Sequence, residues 1–164
     1  MAYTNRYEEL MDRYSLEKMG FPFFHAFTEE QFAEGMRKLG LVRSEVDKLC
    51  ELADSFFYLR KDADWLQRIT DKRSEEHQAA IAGDATGDGY IYEMFLFVME
   101  NYESITTMLG MLGLTVERII TDKRLGHGLI KAVRALQKQE EEFSKYRSPF
   151  LRAKACPIVD EVEF

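Results

Sequence analysis

Cysteine and proline are scarce in this sequence, and no hydrophobic run is long enough to cross a membrane. The chain has 164 residues, of which two are cysteines and three are prolines. Cys50 and Cys156 match no metal-binding or redox spacing, so we expect reduced thiols rather than a disulfide framework. The first residues, MAYTNRYEELMDRY, are charged and lack the apolar segment of a signal peptide. We therefore expect a cytoplasmic protein with no membrane contact.

Signatures of enzyme chemistry are also missing. The sequence has no G-x-S-x-G, no H-E-x-x-H, no phosphate-binding glycine loop and no cysteine–histidine pair at a recognisable distance. Its carboxylates often come in adjacent pairs, which point in different directions from a helix and indicate solvated surface rather than an acid/base pair. The sequence therefore predicts a protein that is not an enzyme and has no cofactor.

What is present is a globular composition with helical periodicity. Hydrophobic residues make up 46% of the chain, and a chain of this length buries about 70% of its extended surface on folding. We expect a mainly α fold, a compact bundle of six to seven helices around a buried central helix at about 90–101. The expected organisation is a single helical domain over 1–147 and an irregular carboxyl-terminal tail over 148–164.

Apolar spacing and capping residues place the individual helices. The central helix follows a tight Asp/Gly turn, and only Glu93 is charged between Tyr90 and Met99. The segment FPFFHAF is expected to be an extended connector. The other predicted helices span Thr4 to Met19, Thr28 to Leu39, Ser44 to about Tyr58, Asp62 or Asp64 to Gly83, Thr106 to Leu112, the segment capped by Thr115, and a last helix through Phe143.

The turn before the central helix resembles a calcium loop. Asp84, Thr86 and Asp88 with the Tyr90 carbonyl occupy ligand positions of an EF-hand loop. The twelfth position, which normally supplies a bidentate glutamate, is Phe95. The alternative interpretation is that Gly83, Gly87 and Gly89 permit a tight turn while Asp84 or Asp88 caps the helix, so calcium stays an open alternative.

A second pattern suggests nucleic-acid binding. The segment from Thr106 to Gln137 has the rhythm of a helix-turn-helix unit, and it is locally basic. Glu140 to Glu142 follow at once, and the net charge of −7 disfavours binding to phosphates. This charge distribution makes a packed helical hairpin with a solvated basic face the competing interpretation. His127 has no evident partner in sequence and is expected at a helix start or in a turn. The candidate nucleic-acid contacts are Arg118, Arg124 and Lys131.

Three stretches carry a resemblance to a known family: FPFFHAFTEEQFAEGMRKLGL, GDATGDGYIYEMFLFVMENYE and LGLTVERIITDKRLGHGLIKAVRA. They resemble small proteins from bacteria, mainly Firmicutes, and from their phages and mobile elements, with no assigned activity. The shared motifs are F-x-A-F-x-x-x-Q-F-x-x-G, D-x-T-G-D-G-Y-I-Y-x-M-F and D-x-R-L-x-x-G-L. The chain departs from them at ADSFFYLRK, where members carry a glycine-rich segment, at VMENYES, where they carry a histidine-containing turn, and in its tail.

That resemblance implies a function in conflict between bacteria and mobile elements. A small acidic protein of this origin without catalytic signatures is similar to inhibitors of host defence, anti-CRISPR proteins included. The expected partner is a host defence protein or nucleoprotein whose basic surface the acidic surface would occupy. Solubility is the competing explanation for the same charges. The candidate protein-binding residues are Glu8, Glu9, Asp12, Glu29, Glu30, Glu75, Glu76, Asp160, Glu161 and Glu163.

Overall fold

The protein is described by a computed structural model that covers residues 4–53 and 55–146. The fold is mainly α, as predicted, with one small sheet that was not predicted. The predicted tail over 148–164 lies outside the described residues. In chain order the elements are α1 (Arg6–Arg13), β1 (Phe23–His25), α2 (Glu29–Lys38), β2 (Leu49–Leu52), β3 (Phe56–Leu59), α3 (Ala63–Gly83), α4 (Tyr90–Asn101), α5 (Ile105–Leu112), α6 (Val116–Thr121) and α7 (Lys123–Tyr146).

The chain divides into two compact units, with the boundary between Gly83 and Asp84. The first unit contains α1 to α3 and the sheet, and the second contains α4 to α7. Among the described residues, no helix combines the length and the apolar content that a membrane span requires.

In the first unit, α2 covers an antiparallel three-stranded sheet of order β1-β3-β2. Phe24 of β1 lies opposite Phe57 of β3, and their rings stack with centroids 5.2 Å apart. Gly35 of α2 leaves the space that the Phe24 ring occupies, since a Cβ atom at Gly35 would overlap that ring. Met36 and Leu49 complete this apolar cluster.

The remaining helices of the first unit, α1 and α3, pack on each other. The buried Tyr7 meets the buried His77 edge-on, with ring centroids 5.5 Å apart. At the other end of α1, Arg13 and Tyr14 both donate to the Glu76 carboxylate. Phe21 packs edge-on against Trp65 near the start of α3.

The prediction of a helix capped by Ser44 is wrong. It forms a short 3-10 helix over Arg43–Lys48 and then the β2–β3 hairpin. The stripe from Val46 to Phe57 has helical spacing, but its second half, FFYL, is rich in the aromatic residues that strands favour. Because β3 pairs with β1 on one side and β2 on the other, these aromatics pack in the middle of a sheet. Cys50 is therefore a half-buried strand residue and not part of a helical core.

Two smaller predictions in the first unit are also corrected. The segment FPFFHAF is not only a connector, because Phe23–His25 forms strand β1. The opening helix ends at Arg13 rather than at Met19. Ser15 accepts a hydrogen bond from the Lys18 N–H, so its side chain starts a separate turn that interrupts the helix.

In the second unit, α4 has the predicted bounds and packs chiefly on α7. Ile91, Met94, Phe95 and Val98 recur every three or four residues, and all four are buried. The predicted caps are also confirmed. Thr115 accepts a hydrogen bond from the Arg118 N–H at the start of α6, and Gly113 ends α5 in the left-handed conformation.

Candidate functional site

The turn before α4 is organised by the carboxylate of Asp84. Its Oδ1 accepts hydrogen bonds from the N–H groups of Thr86 and Gly87, at 3.2 and 2.9 Å. Its Oδ2 accepts from the N–H groups of Gly89 and Ile91, at 3.1 and 3.0 Å. The Ile91 N–H group lies in the first turn of α4, so the Asp84 side chain both closes the loop and caps the helix.

Two opposing effects set the pKa of Asp84. The residue is 9% exposed, and burial acts to raise the pKa of its carboxyl group. The four N–H donors act in the other direction and prevail, so the pKa lies below its ordinary value. Asp84 is therefore held as a carboxylate whose charge is balanced by backbone dipoles.

The same loop fits against the start of α7 through two glycines. Gly87 has φ of +86°, and a Cβ atom there would overlap the backbone carbonyl of Arg124. A Cβ atom on Gly128 would lie 2.7 Å from the Gly87 oxygen. Arg124 adds a hydrogen bond of 2.7 Å from Nη1 to the Asp84 carbonyl, and Asp122 orients its guanidinium. The motif around Asp84 and the motif D-x-R-L-x-x-G-L at the start of α7 therefore pack against each other. We call this contact between the Asp84 loop and α7 the junction.

A polar cluster lies on the solvent side of this junction. His127 Nε2 lies 2.8 Å and Lys131 Nζ 3.1 Å from Asp88 Oδ1. Both partners lower the pKa of Asp88, with the His127 hydrogen bond the larger cause. Lys131 also sits over the Tyr92 ring, 4.6 Å from its centroid. His127 lies near the start of α7, as predicted, and its partner Asp88 lies 39 residues earlier in the chain.

The candidate calcium ligands lie in one loop, but the side chains of Asp84, Thr86 and Asp88 already contact other groups of the protein. Asp84 holds backbone N–H groups, and Thr86 Oγ1 accepts from the Asp88 N–H at 3.2 Å. Asp88 faces two basic side chains, and Phe95 at the twelfth position is buried. Within residues 4–53 and 55–146, no three side chains of His, Cys, Asp or Glu are grouped to hold a metal ion. These contacts agree with a loop-shaping role, and calcium binding stays a prediction.

Two of the candidate nucleic-acid contacts have acidic partners. Arg124 pairs with Asp122 at 2.8 Å, and Lys131 pairs with Asp88. Arg118 is exposed on α6. The helix-turn-helix rhythm corresponds to α5, α6 and the start of α7. DNA binding stays a prediction, and in this arrangement two of its three cations also stabilise the junction.

The candidate acidic residues fall into separate groups. Glu8, Glu9 and Asp12 lie on α1, while Glu75 and Glu76 lie on α3, which packs on α1. Glu29 and Glu30 form the first turn of α2, which packs on β1 instead. Asp160, Glu161 and Glu163 lie outside the described residues. The structure thus places five of these carboxylates on one pair of helices.

Comparison with known proteins gives a family and no activity. No curated protein and no solved structure matches the chain. One family model matches residues 6–135, a range that contains the sheet, the Asp84 loop and the glycine contacts with α7. Because that range covers most of the sequence, the chain belongs to a family of unknown function, DUF7659.

Proposed function

We propose that the protein is an accessory protein of a phage or mobile element that binds and inhibits a host defence protein, as anti-CRISPR proteins do. It acts in the cytoplasm of the bacterial host without catalysis. Its contact surface is the acidic face, which we define as Glu8, Glu9 and Asp12 of α1 with Glu75 and Glu76 of α3.

One observation carries this proposal: the acidic face holds exposed carboxylates that have no counter-ion among the residues that the structure describes. Glu8, Glu9 and Glu75 are exposed, and none of them forms an ion pair with another described residue. Asp12 pairs with Lys18, and Glu76 pairs with Arg13, so two of the five are neutralised locally. The overall charge of −7 adds a long-range attraction for a basic partner.

The physical basis is competition for a basic surface. Defence proteins that hold nucleic acid do so with lysine and arginine side chains, which attract any surface of complementary charge. Complementary charge raises the association rate and disfavours partners of like charge. A carboxylate-bearing helix pair can occupy such a surface and keep the nucleic acid away from it.

Glu8 and Glu9 also have a local role that the test must separate. They lie in the first turn of α1, where negative charge stabilises the helix dipole. Glu75 lies in the second half of the long helix α3 and has no such role. Reversal of Glu75 therefore tests the contact without altering a helix start.

The experiment combines capture with a functional readout. Tagged wild-type protein is used to capture partners from a host lysate, and its expression is tested for loss of host interference against an invading element. We expect Glu75→Lys, which leaves the start of α1 unchanged, to weaken both, while the matched control Glu140→Lys on α7 retains both. Far-UV circular dichroism checks that each variant is folded. Capture of no defence component, with interference intact, would contradict the proposal.

A further inference from the structure

A cleft in the first unit lies between the end of α2, the end of β3 and the 3-10 helix at Arg43–Lys48. Its volume is about 720 Å³, within the range of small-molecule sites. Three leucines line its apolar part: Leu39 and Leu41, which follow α2, and Leu59 of β3. All three belong to the apolar cluster between α2 and the sheet, so the packed core of the unit holds this surface in place.

Basic side chains line the rest of this cleft, and the fold fixes the position of one of them. The Arg60 guanidinium donates from Nε to the Asp47 carbonyl at 3.1 Å and from Nη2 to the Leu49 carbonyl at 3.2 Å. Both acceptors are uncharged, and Arg60 forms no ion pair with another described residue. Three of its five N–H donors thus have no partner in the described part of the chain. We call the site the basic cleft, lined by Leu39, Leu41, Lys48, Leu59, Arg60 and Lys61.

The charges of the basic cleft do not cancel. Lys48 is paired with Glu45, and Asp47 adds one carboxylate to the lining. Lys61, like Arg60, forms no ion pair with another described residue. Arg60 and Lys61 together therefore exceed Asp47 by one positive charge. In a chain with a net charge of −7, this local excess marks a place where a small anion is attracted.

We propose that the basic cleft binds a small aliphatic carboxylate, with its carboxylate group at Arg60 and Lys61 and its hydrocarbon chain on the three leucines. The planar fork of a guanidinium matches the geometry of a carboxylate, and one excess charge suits a monoanion. Among the described residues, no aromatic side chain lines the cleft, so a ring would find no stacking partner. The leucines instead offer an aliphatic surface on which an alkyl chain is removed from water.

The test is a titration of the isotope-labelled full chain with octanoate, followed by NMR. We expect saturable shifts of the backbone amide signals of residues that line the basic cleft. Octanamide keeps the chain without the charge, and acetate keeps the charge without the chain. Each should bind about tenfold more weakly than octanoate, because each lacks one of the two contacts.

Two variants and a matched control assign the binding to the cations. Arg60→Gln removes the fixed guanidinium and should raise the dissociation constant of octanoate by about tenfold. Lys61→Gln should raise it by about threefold, and it removes no contact within the described part of the protein. Lys72→Gln changes an exposed lysine of α3 outside the cleft and should leave the dissociation constant unchanged.

Binding that Lys61→Gln weakens and Lys72→Gln retains supports the proposal, also where circular dichroism shows that Arg60→Gln does not fold. The absence of saturable shifts at millimolar octanoate overturns it. Equal binding of octanoate and octanamide overturns it as well, because the cations would then contribute nothing. Shifts confined to the second unit have the same meaning. None of these outcomes depends on the acidic face, which contains neither Arg60 nor Lys61.

Discussion

Asp84 stabilises its loop with one carboxylate that accepts four backbone hydrogen bonds. Asp84→Asn replaces one acceptor oxygen with an NH2 group that faces N–H donors. Hydrogen bonds to a charged acceptor are among the stronger ones, so we expect a loss of about 2–4 kcal/mol in the free energy of unfolding. Urea unfolding followed by far-UV circular dichroism measures it. Glu103→Gln, an exposed change in the same unit, is the control and should alter stability little.

The same carboxylate gives a defined pH dependence. Because the folded pKa of Asp84 is lowered, its stabilising contribution is complete above the ordinary carboxyl value of 3.8 and is lost as the pH falls through the folded pKa. The stability difference between the wild type and Asp84→Asn should therefore be constant near neutral pH and shrink in acid. A difference that grows as the pH falls would contradict this assignment.

Gly87 combines a left-handed backbone with a close approach to another segment. Gly87→Ala adds both conformational strain and overlap with the Arg124 carbonyl, so we expect a loss of about 3 kcal/mol or more. Gly40→Ala is the matched control, because Gly40 has φ of +75° and open space around it. It should cost about 1 kcal/mol, from strain alone. Equal losses in the free energy of unfolding for Gly87→Ala and Gly40→Ala, measured by urea unfolding, would show that the contact between Gly87 and α7 does not contribute to stability.

For single residues, the sequence predicted the turn at residues 83–89 but not the side chains that contact it. The glycines and aspartates of residues 83–89 indicated a tight turn with an aspartate cap, and Asp84 fills that role. The pairing of Asp88 with His127 joins positions 39 residues apart. No local pattern encodes such a pair. The spacing of His127 and Lys131 places both on one face of α7, and that is the only local hint of a shared partner.

Among the elements, helices with capping residues were predictable and the hairpin was not. Thr28, Thr115 and Gly113 mark helix ends through hydrogen bonds that form within a few residues. The β2–β3 hairpin lacks the usual Asn-Gly or Gly-Gly signal. Its turn instead puts Ala53 and Ser55 at φ of +29° and +73°.

The hairpin turn therefore contains strain that a single substitution can relieve. Ser55→Gly should raise the free energy of unfolding by about 0.5–1 kcal/mol, because glycine adopts the left-handed conformation without steric cost. Ser74→Gly on the exposed side of α3 should lower it by a similar amount. Urea unfolding measures both. Destabilisation by Ser55→Gly would show that the turn conformation is not strained.

For the whole molecule, the net charge of −7 predicts how the proposed complex responds to salt. Salt at about 1 M shortens the screening length to about 3 Å, from about 10 Å at 0.1 M. The complex between the acidic face and a basic partner should weaken over the same range. Capture at the two salt concentrations tests this prediction, and a complex that salt does not weaken would contradict a contact between opposite charges.

The division of the chain at Gly83 also decides what an optical probe can observe. Trp65, the one indole in the sequence, lies in the first unit against Phe21. Residues 84–164 contain phenylalanine and tyrosine but no tryptophan. Intrinsic fluorescence excited at the indole band therefore originates in the first unit, and a binding event at the Asp84 loop has no emitter of its own. An engineered tryptophan in α5 would give the second unit its own emission.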